Sequence, residues 1–316
     1  MDKKIVMKFK GDKRYNNYST YIKSTFGERV QKISINIGFS CPNRDGTKGV
    51  GGCTYCNISS YTPLYCKPKR SVTQQLEEGI SFFSTKYKSQ KYLAYFQSYT
   101  NTYAELDLVK SFYLEAVNHP DVIGLVIGTR PDCVSLELLS FLEDLAKIYY
   151  ISLEFGVEST LDKSLIATNR CHSYQETIDA YKMSKGRGFA LGAHLIIGLP
   201  GETREEMLNH AVEVSKLPIN MLKLHQLQIV KGTKMAKQIV ETPDMFELFE
   251  AEEYIEFVTN FISLLRPDII LERFISESPP NMLIAPKWGG IKNFEFVAKV
   301  DKRLKEKDFW QGKYFN

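Results

Sequence analysis

Three cysteines with unequal spacing could bind a metal cofactor. They lie in the stretch CPNRDGTKGVGGCTYCN, which has the pattern Cys41-x11-Cys53-x2-Cys56. Three neighbouring thiolates can hold three irons of a [4Fe–4S] cluster and leave the fourth iron without a protein ligand. A structural zinc site uses four ligands, and Cys66 could supply the fourth. The spacing therefore favours an iron–sulfur cluster and leaves a zinc site as the alternative.

The other cysteines and the N-terminus indicate in which cellular compartment the protein is located. Six cysteines in 316 residues are too few for a disulfide scaffold, and Cys133 and Cys171 stand alone, as buried inert thiols do. The N-terminus is basic but lacks the apolar core of about 7–15 residues that a signal peptide contains. No apolar run reaches the roughly 18 residues of a membrane span. We therefore expect a cytoplasmic protein with no membrane partner.

Alternating strands and helices must position these cysteines. Short, nearly continuous apolar runs are typical of parallel strands that are covered on both faces. The predicted strands are 33–37, 92–97, 122–128, 149–155, 191–198 and 222–230. The predicted helices between them are near 73–85, 107–118, 135–147, 173–186 and 203–216. This order predicts a parallel α/β fold, either an open sheet or a partial barrel, with ligands at the carboxyl ends of the strands.

The alternation stops after residue 240. The pattern there predicts a long amphipathic helix over about 246–265, a strand-like segment over 269–275 and a basic helix over about 293–307. We therefore expect three parts along the chain, with the last packed on the second. They are a basic N-terminal segment (1–32), a barrel (33–240) and a C-terminal cap (241–316).

Further motifs carry a resemblance to a known family. Tyr55 stands before the last cysteine of the motif, and the chain ends in LIAPKW…WQGKYF. With the cysteine spacing and the six β/α units, these features resemble the radical S-adenosylmethionine (SAM) superfamily. Within it, they are similar to the branch of oxygen-independent coproporphyrinogen oxidase and the Elongator catalytic subunit. A small bacterial family of the Elongator-like type shares the ending, and the resemblance covers about residues 15–315.

The resemblance implies a fold and two cofactors. The fold is a partial (β/α)6 parallel barrel of radical SAM type with a C-terminal α+β cap. The cofactors are a [4Fe–4S] cluster on Cys41, Cys53 and Cys56 and SAM, with Tyr55 as a cofactor contact. An electron donor such as flavodoxin or ferredoxin is implied to reduce the cluster, so that SAM yields a 5′-deoxyadenosyl radical. The protein's own part is to orient SAM and exclude water and oxygen.

Two strand-end segments match family positions near SAM. The family has a Gly-rich turn after the second strand that holds the SAM amino group, and here Ser98, Tyr99 and Thr100 occupy it without its glycines. An ordinary strand-end turn is the alternative. In GTRPDCV the resemblance places Thr129 and Arg130 near the SAM ribose or carboxylate. A structural ion pair is the alternative for Arg130.

Four more positions are implied to contact SAM. Glu158 matches a residue that hydrogen-bonds the ribose, and Arg170 matches the arginine that pairs with the SAM carboxylate. His194 stands where the coproporphyrinogen oxidase pattern has an acidic residue, so a core histidine is the alternative. Gly198 lies in a strand-to-helix turn that lets the backbone approach adenine. Glu154 lies in an apolar run and needs a buried partner, such as an arginine, or a place in the pocket.

Charge is unevenly distributed along the chain, although the net value is only +4. Residues 1–91 carry 17 Lys/Arg and 6 Asp/Glu, residues 286–316 carry 8 and 4, and the middle of the chain is acidic. Basic ends with tyrosines fit the phosphates and bases of RNA, and ordinary solvated surface is the alternative. In the N-terminal segment, the predicted substrate contacts are Lys8, Lys10, Arg14 and Tyr15.

The resemblance also implies a substrate. The small bacterial family is linked to the 5-substituent of the tRNA wobble uridine, which makes tRNA the expected partner. One alternative is a radical SAM enzyme with a small-molecule or peptide substrate. Another is a non-catalytic, zinc-bearing module that binds nucleic acid. Acetyl transfer is not expected, because the tail beyond residue 240 is too short for the acetyltransferase domain of Elongator.

Overall fold

The computed structural model describes residue 9 and residues 12–85 and 90–315. Within them, seven strands form one parallel sheet in the order β1-β2-β3-β4-β5-β6-β8, and β7 pairs with β9 in antiparallel fashion. This arrangement confirms the predicted α/β fold class. The strands are β1 (Val30–Ile35), β2 (Lys91–Phe96), β3 (Val122–Thr129), β4 (Tyr150–Glu158), β5 (Ala190–Ile197), β6 (Met221–Gln226), β7 (Ile229–Val230), β8 (Ile270–Arg273) and β9 (Leu283–Ala285).

Ten α-helices occur in the described part of the chain, most of them between successive strands. They are α1 (Tyr18–Phe26), α2 (Val72–Ser84), α3 (Leu106–Val117), α4 (Leu136–Ala146), α5 (Asp162–Ala167), α6 (Tyr174–Ser184), α7 (Arg204–Ser215), α8 (Met235–Glu241), α9 (Ala251–Leu264) and α10 (Asn293–Glu306). The Glu206 N–H donates to Thr203 Oγ1 (3.2 Å) and the Thr203 N–H donates to Glu206 Oε2 (2.9 Å). This reciprocal cap starts α7 directly after a strand end. None of the described helices has the length and apolar character needed to cross a bilayer.

The tail contributes a strand to the main sheet, which therefore has one strand more than the six predicted. β8 pairs in parallel with β6, with Met221 opposite Ile270 and Leu222 opposite Leu271. Helices α8 and α9 connect the two strands, so the tail begins with another β/α unit. The strand expected over 222–230 is divided, because the chain leaves the sheet after Gln226 and β7 pairs with β9 instead.

The two faces of the sheet differ in polarity. On the outer face, Phe155 of β4 packs edge-to-face on Tyr181 of α6, with ring centroids 5.0 Å apart, inside a large apolar core. On the inner face, a small apolar cluster of Leu93, Tyr95 and Val126 forms the floor. Polar residues occupy the inner face beyond this floor. The expectation of strands that are apolar on both faces therefore holds only for the outer face, because side chains alternate between the faces.

The curvature of the sheet brings its first and last strands together. Lys32 of β1 and Glu272 of β8 lie at opposite ends of the strand order, yet Lys32 Nζ is 2.6 Å from Glu272 Oε1. Helix α1 packs on both of these strands, and Asn17 bridges to Leu271 at the free edge of β8. The inner face is therefore nearly enclosed, and the loops at the carboxyl ends of the strands surround its mouth.

Two of the predicted RNA contacts have other roles in the fold. Tyr15 is only 1% exposed and packs edge-to-face on Phe274, with ring centroids 5.3 Å apart, so its ring cannot stack on a base. Arg14 pairs with Asp308 (2.7 Å), and its carbonyl accepts from the Gln311 N–H. The Gln311 side chain in turn donates to carbonyls just before β8, at the end of the strand away from the mouth. The prediction for Tyr15 was therefore wrong, whereas that for Arg14, in a partly exposed ion pair, stays a prediction. Lys8 and Lys10 lie outside the described residues.

The basic helix α10 is neutralised by α9. Lys299 Nζ lies 2.5 Å from Glu252, Arg303 Nη1 lies 2.6 Å from Glu256, and Lys307 also pairs with Glu256. The opposite side of α10 is apolar and buried in the core. Three charges of this segment therefore pair with α9 and support its packing, whereas Lys305 is exposed and has no ion pair within the described residues.

Candidate active site

The three motif cysteines lie in one loop between β1 and α2 and line one cavity. Cys41 and Cys53 are buried, and Cys56 is half-buried. The loop is folded tightly by its own backbone: the Arg44 N–H donates to the Cys41 carbonyl (2.7 Å), and the Cys56 N–H donates to the Cys53 carbonyl (3.0 Å). Gly52 has φ +78°, and a Cβ at this position would lie 2.9 Å from the Arg44 side chain. Glycine is therefore required at this position.

The surroundings of the thiols suit an iron–sulfur cluster. Asn43 Nδ2 donates to Cys53 Sγ (3.4 Å), and Arg170 Nη1 lies 3.7 Å from the same sulfur. Burial raises the pKa of the Cys56 thiol, followed by the nearby Cys53, while the guanidinium groups of Arg44 and Arg170 act in the opposite direction. Iron ligands must be thiolates, and these cationic and amide donors stabilise negative charge on sulfur. The residues present therefore fit a cluster held by three cysteines.

The fourth ligand of the zinc alternative is engaged elsewhere. Cys66 Sγ donates to the Ser34 carbonyl (2.9 Å), and burial raises the pKa of this thiol to about 12. In residues 9, 12–85 and 90–315, no group of three or more His, Cys, Asp or Glu side chains has the geometry of a site for one metal ion. Cluster cysteines bind different irons and are spaced more widely than ligands of one ion. Cys133 and Cys171, expected to be buried, are half-buried.

The cavity has a volume of about 270 Å³ and lies at the carboxyl ends of the strands. The structure leaves two of the predicted SAM contacts out of its lining: Ser98, which is buried with its Oγ 3.4 Å from Thr62 Oγ1, and Gly198, which packs near Leu227. The structure places the other predicted SAM contacts around this cavity. They are Tyr55, Tyr99, Thr100, Thr129, Arg130, Glu158, Arg170 and His194.

Three polar atoms of the lining have no partner within the described residues. Tyr55 Oη, Thr100 Oγ1 and His225 Nε2 are all buried without a hydrogen bond. Burial, and then the nearby Cys53 and Glu158, hold the pKa of the Tyr55 phenol well above its usual value, so it is neutral and can donate. Buried polar groups in native proteins are normally paired. These atoms therefore fit a cavity that takes a polar ligand such as SAM beside the cluster.

Glu158 and Arg170 form a charged pair beside the cysteines. Arg170 Nη2 donates to the Gly156 carbonyl (2.7 Å) and lies 3.3 Å from Glu158 Oε1. Glu158 has φ +65° at an irregularity in the β4–β5 pairing, and both residues line the cavity. Burial, and then the Arg170 charge, lower the pKa of His172 to about 3, so this ring is neutral and accepts from Arg170 Nε (2.9 Å). The arginine is held firmly against the cysteine loop.

Arg130 forms a buried ion pair at the edge of the cavity. Its guanidinium is 2% exposed and binds Asp132 through two hydrogen bonds of 2.9 and 2.8 Å. Its Nη1 also donates to the Arg170 carbonyl (2.8 Å). Burial opposes ionisation of Asp132, but Arg130 outweighs it and holds the pKa of the carboxyl below its usual range. The alternative ion pair is therefore present, and it positions the segment that carries Arg170. Arg130 also lines the cavity, so its contact with SAM stays a prediction.

Four charged residues lie at the inner end of the cavity, two of them buried (Glu154, Lys223) and two half-buried (Lys32, Glu272), and we call them the charge ring. Each carboxylate contacts both lysines, with Glu154 at 2.6 Å from Lys223 and 3.2 Å from Lys32. Burial opposes ionisation of Glu154, but Lys223, Lys32 and a hydrogen bond from His194 Nε2 (2.8 Å) hold its pKa well below the usual value. Glu154 is therefore paired with lysines, not with the arginine that the sequence suggested.

Sequence reasoning missed the inner members of the site. Lys223, His225 and Arg273 line the cavity, and none of them belongs to a recognised motif. A signal was present for the first two, because LKLHQ alternates apolar and polar residues with the period of a strand that has one polar face. Nothing in the sequence indicated Arg273, because its strand reaches the sheet only through the tail.

Curated proteins of similar length resemble nearly the whole chain. "Protein YhcC" of Escherichia coli (strain K12) is 36% identical over 297 residues, which is 93% of this chain and 93% of that protein. "Uncharacterized protein YtqA" of Bacillus subtilis (strain 168) is 29% identical over 304 residues, with 96% and 94% covered. The "tRNA uridine(34) acetyltransferase" of Methanocaldococcus infernus is 25% identical over 189 residues, which is 58% of this chain and 34% of that protein.

A solved structure has the same fold. The archaeal Methanocaldococcus infernus Elp3 with an N-terminal deletion superposes with a TM-score of 0.64 at 18% identity, covering 89% of this chain and 64% of that one. At this identity the likeness concerns the fold alone.

Two family models divide the chain between them. The model described as the Radical_SAM C-terminal domain matches residues 219–306, which include β6, β8 and their residues on the inner wall of the cavity. The model described as the Radical SAM superfamily matches residues 35–214, more than half of the chain, including the cysteine loop, Glu158 and Arg170. The chain therefore belongs to the radical SAM superfamily, whose enzymes use a [4Fe–4S] cluster and SAM.

Proposed function

We propose that this radical SAM enzyme modifies tRNA at the 5-substituent of the wobble uridine. The relative named tRNA uridine(34) acetyltransferase supports the substrate by its name, and the Elp3 structure supports the fold. The observation that carries the proposal is a group of lysines without partners around the mouth of the cavity.

The proposed part of the chain's own residues is to bind and orient. Cys41, Cys53 and Cys56 hold the cluster, and Arg170 and Glu158 hold SAM between the cysteine loop and β4. When bound, the two cofactors supply radical chemistry that can attack unactivated C–H bonds, such as those next to a uracil ring. The charge ring excludes solvent from the inner end of the site.

Lysines near the cysteine loop are free to contact phosphates. Lys67 and Lys69 follow the cysteines, and Lys231 and Lys234 follow β7. They are exposed, and each lacks an ion-pair partner within the part of the chain that the structure describes. The segment from Lys231 packs on the cysteine loop, since Asn57 Nδ2 donates to the Lys231 carbonyl (2.8 Å). The two groups therefore flank one entrance, in contrast to the paired lysines of α10.

Binding of purified tRNA at graded salt tests this surface. We expect the double variant Lys67→Glu, Lys69→Glu to bind tRNA more weakly and to reduce the log–log salt slope by about 0.7–0.9 for each lost phosphate contact. The matched control is Lys23→Glu, Lys185→Glu, two exposed lysines that are also unpaired within the described ranges and lie away from the mouth. Equal effects of the two double variants would contradict the surface.

Mass spectrometry of tRNA nucleosides tests the reaction. Cells without the gene should lose or accumulate one wobble-uridine species relative to the parent, and the gene with Cys53→Ala should not restore it. If every such species is unchanged and tRNA does not bind at physiological salt, the tRNA proposal fails. The second candidate, a small-molecule or peptide substrate, then takes its place. The polar inner wall of the cavity favours it, since this wall could contact a small polar molecule.

An electron donor and a compartment belong to the same proposal. All six cysteines are free thiols, which suits a reducing cytoplasm, and the cluster needs a one-electron donor. We infer flavodoxin or ferredoxin as this donor. To test this, the reconstituted enzyme is mixed with either reduced protein. Reduction of the cluster is measured as the loss of the visible absorbance of its oxidised form.

A further inference from the structure

Arg273 stands apart from the other charged residues of the cavity. It is the last residue of β8, lines the cavity and is exposed. Within residues 9, 12–85 and 90–315 its side chain has no hydrogen bond or ion pair. The remaining arginines of the lining are engaged: Arg130 with Asp132, Arg170 with Glu158 and Arg44 with the Cys56 carbonyl. A guanidinium without a partner in a cavity is a candidate anion ligand.

The acidic groups near Arg273 are already committed. Glu154 and Glu272 are each held by the two lysines of the charge ring, so the ring is neutral as a whole. Glu277 also lines the cavity, but its Oε1 accepts from the Asn293 N–H (2.7 Å) at the start of α10. Arg273 is therefore a positive charge on this wall that lacks a counter-ion.

His225 offers a second donor on the same wall. Its Nδ1 is 2.5 Å from Ser276 Oγ, whereas its Nε2 is buried without a partner among the described residues. Burial, and then the neighbouring His194, Arg273 and Lys223, hold the pKa of this imidazole well below its usual value, so the ring is neutral. When Nδ1 accepts the Ser276 hydroxyl, the proton lies on Nε2, and that N–H can donate to a ligand.

We propose that Arg273 and His225 form a subsite for one anionic group of the substrate, a carboxylate or a phosphate. Arg273 supplies a planar fork for two oxygens, and His225 Nε2 adds a neutral donor. This proposal shares one assumption with the proposed function, namely that the substrate enters this cavity. An anion fixed at this wall orients the rest of the substrate toward the cysteine loop and SAM.

Chemical modification of arginine tests the subsite directly. Phenylglyoxal reacts with accessible guanidinium groups, and peptide mass spectrometry gives the rate at each arginine of the reconstituted enzyme with SAM bound. We expect Arg273 to react faster than Arg130, and inorganic phosphate or acetate to slow it, by about twofold at a concentration equal to the dissociation constant. Chloride at the same ionic strength should not slow it. Whichever of phosphate and acetate protects at the lower concentration identifies the anionic group.

The experiment has two controls: another arginine measured in the same peptide digest, and one variant of the protein. Arg187, a surface residue paired with Glu143 (2.7 Å), should react at the same rate in all three salts. His225→Ala should weaken the protection of Arg273 without changing its reaction in chloride. Equal rates at Arg273 in phosphate, acetate and chloride would overturn the subsite. Protection together with unchanged tRNA nucleosides would leave the subsite standing and remove tRNA as the substrate.

Discussion

The two walls of the cavity are built in different ways. The cysteine wall comes from one continuous loop, residues 41–56, with partners from the neighbouring strand ends. The inner wall, which carries the charge ring, takes single residues from β1, β4, β6 and β8, up to 240 positions apart in the sequence. The first wall leaves buried polar atoms such as Tyr55 Oη without partners. In the charge ring of the second wall, each carboxylate contacts two lysines, and the unpaired groups of that wall, His225 Nε2 and the Arg273 side chain, lie beside the ring.

This difference separates a ligand site from a scaffold. Unpaired buried groups are costly unless a ligand satisfies them, so the cysteine wall is suited to a cofactor. A buried ion pair contributes little net stability when it is intact, but removing one partner leaves a costly uncompensated charge. We therefore expect changes in the first wall to affect cofactor content and changes in the charge ring of the second wall to affect folding.

The largest expected effect is loss of the cluster. Cys41→Ala, Cys53→Ala and Cys56→Ala should each reduce the iron of anaerobically reconstituted protein from about four atoms per chain to near zero, because each cysteine holds one iron. Iron analysis and visible absorbance are the measurements. Cys66→Ala is the control and should keep its iron, since Cys66 Sγ donates to a backbone carbonyl. Stoichiometric zinc in a colourless protein would contradict the assignment.

The next effect concerns the stability of the charge ring. Glu154→Ala should lower the free energy of unfolding by about 3–5 kcal/mol, because it leaves the two positive charges of Lys32 and Lys223 with Glu272 as their one carboxylate partner. Urea denaturation of the cluster-free protein gives the value. The control is Lys302→Ala, which removes an exposed pair with Glu306 at 3.7 Å and should cost less than about 0.5 kcal/mol. A similar loss of unfolding free energy in both variants would contradict the structural role assigned to the charge ring.

A smaller effect is expected for SAM. Arg170→Ala and Glu158→Ala should each weaken SAM binding by about 1–3 kcal/mol, the usual cost of losing a hydrogen bond to a charged group. Titration calorimetry on the reconstituted protein measures the affinity, and Arg187→Ala serves as a surface control. Iron content should stay normal, although Arg170 Nη1 is only 3.7 Å from Cys53 Sγ. Either variant losing its iron would show that it belongs to the cluster rather than to SAM.

The smallest expected effect is on the free energy of unfolding at acidic pH. The pKa of the Glu154 carboxyl is lower in the folded protein than its ordinary value of 4.5, so the unfolded chain binds the proton first. Its stabilisation is fully present above this ordinary value and is lost as the pH falls through the folded pKa. We expect the difference in unfolding free energy between the parent and Glu154→Gln to be constant above about pH 4.5 and to shrink below it. A difference that grows toward low pH would reverse the assignment.

Local features were predictable where neighbouring residues determine them. The cysteine loop, the capping box of Thr203 with Glu206 and the apolar outer faces of the strands depend on short-range spacing. The place of β8 in the sheet was not predictable, because a four-residue strand with two charged residues has little periodic signal. Tyr15 was misassigned for a related reason: whether an aromatic residue in a basic segment is exposed or buried depends on the segment against which it packs.

By itself, the sequence determined the chemistry of the cysteine loop and the parallel α/β class, because both depend on residue types at fixed short separations. Only the tertiary structure decided which charges remain available for ligands. Lys32, Lys223 and Lys299 are engaged by carboxylates within the chain, whereas Arg273 and the lysines of the mouth are not. The physical reason is that these ion pairs form between side chains that the curved sheet and its last helices bring within a few ångströms, at separations of tens to hundreds of residues.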